Sequence, residues 1–136
     1  MGKKMNQAIK RLRDIQKMNR LGGGETHIER QHGRGKLAAR ERIECLVDAD
    51  TFKELGSSVN TTGARIDGKK STAPCDGAVT GTAKVNGRPV AVYASDFTVL
   101  GGSIGTQHGL KFVKLMEMAA KWGIPMFWLL DSSGGR

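Results

Sequence analysis

Two glycine-rich segments, each directly after an apolar run, hold the residue types most suited to chemistry in this sequence. The first is Gly101-Gly102-Ser103-Ile104-Gly105, and the second is Ser132-Ser133-Gly134-Gly135. A glycine turn after a buried strand exposes backbone N–H groups, which can hold an anionic oxygen such as an enolate. From the residues alone, the first segment is either a tight turn or a ligand-approach loop. The second is either a strand-to-helix turn or an oxyanion hole.

Two other chemistries have little support at these glycine segments. The first segment lacks both the G-x-G-x-x-G pattern of dinucleotide sites and the lysine of a P-loop. Ser132 and Ser133 stand outside a G-x-S-x-G motif, and no paired base can be identified, which argues against a nucleophilic serine.

The histidines and cysteines predict no metal site. Cys45 and Cys75 form neither a CxxC pair nor a zinc spacing, so we expect two unpaired thiols, one of them in a core. His27 and His32 are expected in a polar, solvated loop. His108 follows the first glycine segment at a predicted helix start, where we expect it on the surface.

A hairpin and a βαβ-type arrangement position the glycine segments. Strands are predicted over 78–85 and 89–94, because the Asn86-Gly87 pair between them is typical of a type I′ turn. The second strand is almost wholly apolar and is expected to be buried on both faces. A helix over 105–122 and a buried strand over 124–130 follow.

The inner face of the helix over 105–122 is predicted from its apolar residues. Val113, Met116 and Ala120 mark this face, with Phe112 and Ala119 alongside. Both glycine segments then lie at carboxyl ends of strands, where ligands gather in α/β folds.

The N-terminal third is basic and helical in its pattern. Helices are predicted over 3–20 and 36–47 with a loop between them, and 56–75 reads as an exposed, mobile loop after a short strand at 51–55. The predicted organisation is a basic helical segment, a flexible loop region and the start of an α/β domain, at residues 1–47, 48–75 and 76–136.

The positive charge is concentrated in the same third. Residues 1–44 hold 12 Lys and Arg against 5 Asp and Glu, or +7 of the chain's net +9. Such a segment suits nucleic acid, an acidic partner or the phosphates of a nucleotide-like ligand. It contains no aromatic residue, which argues against base stacking on single strands. No apolar run is long enough to predict a transmembrane helix.

The order of several motifs resembles one enzyme family over about residues 8–136. These motifs are Gly35-Lys36-Leu37-Ala38-Ala39-Arg40-Glu41-Arg42-Ile43, Asp76-Gly77-Ala78-Val79-Thr80-Gly81, Asn86-Gly87-Arg88-Pro89-Val90, Asp96-Phe97-Thr98-Val99-Leu100-Gly101-Gly102-Ser103-Ile104-Gly105 and Asp131–Arg136. They are similar to motifs of the carboxyltransferase (β) subunits of biotin-dependent acyl-CoA carboxylases.

The resemblance implies an α/β, crotonase-like (ClpP-like) fold built from ββα units. It also implies transfer of a carboxyl group between biotin and an acyl-CoA, through an enolate held by backbone N–H groups. The corresponding turn here is Ser133, Gly134 and Gly135, where Ser-Ser-Gly-Gly replaces the common Ser-Gly-Gly-Ala. Residues expected to bind CoA are Lys36, Arg40, Arg42, Gly101, Gly102 and Ser103, although the three basic residues also fit a solvated or packing helix face.

Partners follow from the same resemblance. We expect acyl-CoA as substrate, biotin carried on a partner protein, a biotin carboxylase or carrier subunit, and a homo-oligomer of the full-length subunit. We expect no nucleic acid, no metal and no membrane span, and a cytoplasmic location. The resemblance covers an N-terminal part only, so we expect the chain to be inactive alone.

Other functions remain open at this point. The family includes glutaconyl-CoA and methylmalonyl-CoA decarboxylase subunits. A crotonase-type hydratase or isomerase shares the oxyanion chemistry but needs a carboxylate acid/base, which we cannot place. A non-enzymatic basic module that binds nucleic acid explains the charge but not the glycine turns.

Overall fold

The computed structural model describes residues 2–64 and 70–136. In chain order its elements are α1 (Gly2–Arg20), α2 (Glu25–His32), α3 (Ala39–Leu46), β1 (Lys53–Leu55), β2 (Thr61–Ala64), β3 (Lys70–Ala73), a 3-10 turn (Pro74–Gly77), β4 (Ala78–Val85), β5 (Arg88–Ser95), a second 3-10 turn (Leu100–Gly102), α4 (Thr106–Trp122) and β6 (Met126–Leu129).

The main sheet has the strand order β1-β4-β5-β6, and β2 pairs with β3 separately. The β1–β4 and β4–β5 pairs are antiparallel, whereas β6 runs parallel to β5. A parallel pair requires a crossover connection, which α4 supplies here. The carboxyl ends of β5 and β6 therefore meet at one edge of the sheet.

The sheet is covered on both faces. Helix α3 packs on one face and α4 on the other, which gives three layers. The α3 side buries Ala39, Ile43, Val79, Ala83, Val90, Val92 and Ala94. The α4 side buries Ala78, Ala91, Tyr93, Leu115 and Ala119. Alternate residues of β5 enter the two cores, which confirms that this strand is buried on both faces.

The predicted hairpin is confirmed in detail. Val85 pairs with Arg88, which leaves Asn86 and Gly87 as a two-residue turn. Both have positive φ, 50° and 76°, as a type I′ turn requires. The Asp48 carboxylate accepts hydrogen bonds from both N–H groups, at 2.9 and 2.8 Å. This contact with Asp48 stabilises the turn in addition to the preference of Asn-Gly for positive φ.

The N-terminal helices differ from the prediction in two ways. The segment predicted as a loop contains α2, so His27 and His32 lie on a helix, although both remain exposed. Helix α3 begins at Ala39 rather than at about Lys36. The prediction failed because α2 is short, polar and flanked by glycines, and so has no apolar periodicity of its own.

The prediction of one loop over 56–75 is wrong where β2 and β3 form an antiparallel pair. Their sequences contain Thr, Ser, Gly and Lys, and the pairing with each other supplies backbone hydrogen bonds that composition does not reveal. Residues 65–69 of the predicted loop lie outside the described residues. The predicted boundary at 76 stays a prediction.

Two burial predictions near the C-terminal end are also wrong. The inner face of α4 is formed by His108, Lys111, Leu115 and Ala119, whereas Val113, Met116 and Ala120 are exposed. Strand β6 lies at the edge of the sheet, with Phe127 and Trp128 exposed. Helical periodicity predicted the helix correctly but not which of its faces is buried, because apolar residues occur on both the buried and the exposed face of α4. In the ranges that the structure describes, no helix is long and apolar enough to cross a bilayer.

Candidate functional site

The two glycine segments lie side by side at the carboxyl ends of β5 and β6. We call residues 95–105 together with 130–136 the glycine edge. Three backbone hydrogen bonds join its two halves: Ser133 N–H to Gly101 O at 2.9 Å, Ile104 N–H to Gly134 O at 2.8 Å and Arg136 N–H to Ile104 O at 2.9 Å. The predicted juxtaposition of the two turns is therefore present.

Gly102 permits the close approach of the two segments. Its φ is +63°, and a Cβ there would overlap the Asp131 carbonyl oxygen. Only glycine combines this backbone conformation with so little room. The geometry favours the interpretation of Gly101 and Gly102 as a tight structural turn. Ser103 then donates its hydroxyl to Leu100 O at 2.7 Å.

The N–H groups of the second turn are not equivalent. Ser133 N–H donates to Gly101 O, and Gly134 N–H donates to Ser132 Oγ at 3.1 Å. Gly135 and Ile104 form a parallel bridge, in which the hydrogen bonds are made by the residues on either side of Gly135, Gly134 and Arg136. The N–H of Gly135 itself therefore points away from the Ile104 segment. Within the described ranges, the Gly135 N–H has no acceptor. Ser132 N–H likewise has no acceptor in those ranges, so among Ser133, Gly134 and Gly135 it is Gly135 that offers a donor to a ligand.

An ion pair between a buried carboxylate and a partly exposed guanidinium fixes the end of this turn. Asp76 is fully buried, and its carboxylate pairs with the Arg136 guanidinium. Arg136 also donates to the carbonyl oxygen and hydroxyl of Ser103. The second Asp76 oxygen accepts the His108 backbone N–H at 2.7 Å. One carboxylate thus joins the start of β4, the start of α4 and the final residue of the glycine edge.

His108 is buried, not on the surface as predicted, with 1% of its area exposed. Its Nδ1 lies 3.0 Å from Asp76 O and its Nε2 lies 2.6 Å from Tyr93 Oη. Burial lowers the pKa of His108, and nearby Arg136 and Lys111 act in the same direction, although Asp76 opposes them. These partners fit a neutral ring that donates from Nδ1 and accepts the Tyr93 hydroxyl at Nε2. Burial also raises the pKa of Tyr93.

Sequence reasoning did not assign roles to Asp76 and Arg136. Both lie in motifs that were noted, at the first residue of a strand motif and the last residue of the second glycine segment. A single carboxylate and a single guanidinium sixty positions apart give no local signal, since their pairing depends on the approach of β4 to the glycine edge.

Two of the predicted CoA-binding residues have partners within the fold. Arg40 pairs with Glu54, at 2.5 and 2.9 Å. Arg42 donates to Leu129 O at 3.1 Å and to Ser95 O at 2.6 Å. Both therefore pack helix α3 against the sheet. Whether either one contacts CoA stays a prediction.

Lys36 lies beside the glycine edge. Its Nζ is 3.1 Å from Asp131 Oδ1 and 5.7 Å from the centre of the Phe97 ring. The lysine side chain is about half exposed. Asp131 also accepts Gln31 Nε2 at 2.6 Å, so this carboxylate ties α2 to the end of β6. Lys36 and Arg42 both contact the glycine edge, and of the two Lys36 is the exposed one.

A second buried polar group, the Lys111 ammonium, lies between α4 and the sheet. Lys111 donates to the carbonyl oxygens of Cys75, at 3.2 Å, and Ala78. Burial lowers the pKa of Lys111 and raises the pKa of the Cys75 thiol. Cys75 and Cys45 are both free, as predicted. In the part of the chain that the structure describes, no group of three or more His, Cys, Asp and Glu could hold a metal ion.

Comparison with known proteins shows the family. The model of the carboxyl transferase domain matches residues 30–136. The propionyl-CoA carboxylase beta chain of Roseobacter denitrificans is 42% identical over 97% of this chain and 26% of its own length. The alpha subunit of methylmalonyl-CoA decarboxylase from Propionigenium modestum is also 42% identical, with the same coverage.

Solved structures agree. A transcarboxylase 12S structure, described as a hexamer assembly with methylmalonyl-coenzyme A bound, superposes with a TM-score of 0.89 at 38% identity. The match covers 97% of this chain and 26% of that one. The predicted α/β, crotonase-like fold is confirmed by these neighbours. The chain spans about a quarter of the length of the curated relatives that it matches.

Proposed function

Because this chain belongs to the carboxyl transferase domain family, we propose that it contributes the acyl-CoA side of a carboxyltransferase. The reaction moves a carboxyl group between biotin and an acyl-CoA thioester. The acyl-CoA passes through an enolate, whose charge develops on the thioester oxygen. The contribution of this chain is to stabilise that oxygen with backbone N–H groups.

The observation that carries the proposal is the Gly135 N–H, without an acceptor in the described residues and at the carboxyl edge of a parallel strand pair. A donor fixed before reaction costs no reorganisation when charge develops, which is the basis of oxyanion-hole catalysis. Bonds to Gly101, Ile104 and Asp76 hold the turn on both sides. Of the predicted trio, Ser133 and Gly134 shape the turn, and Gly135 donates.

Space around Gly135 supports the same assignment. A Cβ at Gly135 would meet nothing within 4 Å. The position therefore accepts the alanine that the common Ser-Gly-Gly-Ala turn has here. The change from that pattern leaves the donor in place, because the donor is a backbone group.

The partners of the reaction are part of the proposal. Biotin, carried on a partner protein, supplies or receives the carboxyl group. The described residues contain one glycine edge and no second one for biotin. Acyl-CoA lies along Lys36 and the Gly101-Gly102-Ser103 turn, with assembly as a homo-oligomer alongside a biotin carboxylase or carrier subunit. A cytoplasmic location stays a prediction.

A decarboxylase is the second candidate. The 42% identity to a methylmalonyl-CoA decarboxylase alpha subunit equals that to a propionyl-CoA carboxylase beta chain. Both reactions use the same enolate, so the glycine edge serves either direction. The acyl group and the direction of transfer distinguish the two.

Amide NMR of the 136-residue chain tests the proposal. Titration with propionyl-CoA is expected to shift the Gly135 amide signal strongly and leave that of Gly109, on α4, unchanged. Gly135→Pro removes the N–H and is expected to weaken binding, whereas Gly135→Ala retains it and is expected to bind normally. An unchanged Gly135 signal at saturating ligand contradicts the proposal.

A transfer assay addresses the separate expectation that the chain is inactive alone. The isolated chain is incubated with methylmalonyl-CoA and free biotin, and carboxybiotin is measured. We expect binding without turnover. Turnover would contradict that expectation while leaving the assignment of Gly135 intact.

A further inference from the structure

A basic cleft lies between α2 and the first half of the glycine edge. Its lining is formed by His27, Arg30, Gln31, Arg34, Phe97, Thr98, Leu100 and Gly101. The volume is about 280 Å³. This is slightly below the roughly 300–1,000 Å³ of pockets that enclose a whole drug-sized ligand, so the cleft suits one end of a longer molecule.

The cations of this cleft are available. Arg30 and Arg34 are exposed, and in the described ranges neither side chain has a hydrogen-bond or salt-bridge partner. No carboxylate lines the cleft. By contrast, Arg40 and Arg42 donate to partners within the fold. Of these four arginines, the two that are free to bind an anion are Arg30, on α2, and Arg34, in the turn that follows α2. Sequence reasoning did not predict either one.

Three other clefts have a different character. Each contains at least one carboxylate: Asp14 in the first, Glu44, Asp48, Asp50 and Glu54 in the second, and Asp131 in the third. A carboxylate in the lining repels a phosphate. The cleft at α2 thus combines unpaired cations with an apolar floor from Phe97 and Leu100.

Helix α2 is held in place at both ends. Gly23 N–H, before its start, donates to Thr98 Oγ1 at 3.0 Å. Gln31, in its last turn, donates to Asp131 at 2.6 Å. Both acceptors belong to the glycine edge, so the backbone that carries Arg30 and Arg34 is positioned relative to that edge. A guanidinium group carried on such a backbone is suited to bidentate binding of phosphate.

The cleft also adjoins the proposed oxyanion turn. Gly101 lines the cleft, and its carbonyl oxygen accepts the Ser133 N–H at 2.9 Å. A ligand with its reactive group at Gly135 can thus reach the cleft along the glycine edge. Acyl-CoA has this form, because its thioester and its phosphorylated nucleotide are at opposite ends.

We propose that Arg30, Arg34 and His27 bind the phosphorylated adenosine end of acyl-CoA, with Phe97 and Leu100 as the apolar floor. The inference rests on the proposed function for the choice of ligand. It assigns specificity for CoA over shorter thioesters to α2 and the turn that follows it. Lys36 has its Nζ 5.7 Å from the centre of the Phe97 ring and is paired with Asp131, and the nucleotide end of acyl-CoA does not need it.

The test compares three ligands by calorimetry and amide NMR: propionyl-CoA, adenosine 3′,5′-bisphosphate and propionyl-pantetheine, which lacks the nucleotide. Replacing Arg30→Ala together with Arg34→Ala is expected to weaken binding of the first two by about tenfold or more. Propionyl-pantetheine should still shift the Gly135 amide in the double variant as in the unmodified chain. The control, Lys10→Ala with Arg11→Ala, removes the same charge from α1 and should change affinity less than about twofold.

Each outcome decides between the two proposals. If propionyl-CoA binds the double variant and the unmodified chain equally, the cleft assignment fails and the proposed function stands. An equal loss in the α1 control also overturns it, because the effect is then one of net charge. If the bisphosphate binds but neither thioester shifts Gly135, the proposed function fails and the cleft remains a phosphate site. Should the double variant unfold, ligand-induced shifts of His27 and Gly101 in the unmodified chain decide the assignment, since their absence overturns it.

Discussion

The glycine edge and helix α1 differ in how their residues are bound. At the glycine edge, backbone hydrogen bonds, the Asp76–Arg136 pair and close glycine contacts fix nearly every residue. Along α1 the apolar residues Met5, Ile9, Leu12, Ile15 and Met18 are exposed, beside many Lys and Arg. The helix is tied to the rest through Asn19, whose side chain donates to Ser57 O at 2.7 Å.

The region with most of the positive charge is therefore different from the region proposed to stabilise the anionic oxygen. Most of the positive charge lies in the N-terminal third, and α1 carries a large part of it. The groups suited to stabilise an anionic oxygen, however, are uncharged N–H groups at the other end of the chain. Preorganised dipoles act strongly because they are fixed, whereas mobile surface cations are screened by solvent. The predictions below test how firmly each region is held.

The largest expected effect is at Gly102. Gly102→Ala puts a Cβ into a left-handed conformation and against the Asp131 carbonyl. We expect a loss of about 3 kcal/mol in the free energy of unfolding, from backbone strain and displaced packing. Gly109→Ala on α4 is the matched control. With nothing within 4 Å of a Cβ there, it should stabilise by up to about 1 kcal/mol. Urea unfolding measures both free energies. Equal effects of the two substitutions would contradict the claim that the glycine edge requires glycine at position 102.

A leucine pair compares the core with α1. Leu115 is 2% exposed and Leu12 is 47% exposed. Leu115→Ala should cost about 3 kcal/mol through lost burial and a cavity, and Leu12→Ala about 0.5 kcal/mol or less. Urea unfolding of both variants gives the comparison. A large cost for Leu12→Ala would mean that α1 is packed in solution against a surface outside the described contacts.

The Asp76–Arg136 pair comes next. Asp76→Asn preserves shape and tolerates the positive φ of 51°, but removes the charge opposite Arg136. The Arg136 side chain is partly exposed, so water reduces the penalty, and we expect a loss of about 2 kcal/mol. Amide exchange at Arg136 and Ile104 should rise. Unchanged exchange would show that the backbone bonds hold the turn without the ion pair.

The smallest effect is a pH dependence at His108. Its pKa is lowered in the folded chain, so the unfolded chain binds the proton more readily. The contribution of His108 to stability is therefore present above the unfolded pKa of about 6.5 and decreases as pH falls below it, by at most about 1.4 kcal/mol per pH unit. Urea unfolding at pH 7.5 and 5.5 measures this. His108→Gln should reduce the pH dependence, and an unchanged dependence would assign it to other groups.

Local patterns predicted much of the framework around the site. The Asn86-Gly87 hairpin, strand β5 and helix α4 were found because their signals lie within a few residues: positive φ for the turn, apolar continuity for the strand and periodicity for the helix. The predicted βαβ-type order of strand, helix and strand also placed both glycine turns at strand ends. Each of these features is determined by residues a few positions apart, so the sequence is sufficient to predict it.

Burial and pairing could not be predicted in the same way. His108 is polar and follows a glycine turn, so its sequence context favoured the surface. The fold places it between Asp76 and Tyr93, which satisfy both ring nitrogens. Arg40 and Arg42 looked available for phosphates, yet they bind Glu54 and backbone carbonyls. Arg30, on α2, and Arg34, in the turn after it, remain free of partners in the described ranges, although this segment was predicted to be a loop.

The sequence by itself determined the family resemblance, the hairpin, the α/β arrangement and the two glycine turns, because each depends on residue types at short spacing. The tertiary structure alone decided which N–H groups of the second turn are free, which cations are available and which polar groups are buried. Those properties depend on segments far apart in the chain, such as Asp76 with Arg136 and Gly102 with Asp131. An N–H group is left free for a ligand when no acceptor in the fold lies beside it. Which acceptors lie beside it depends on distant segments that only folding brings together.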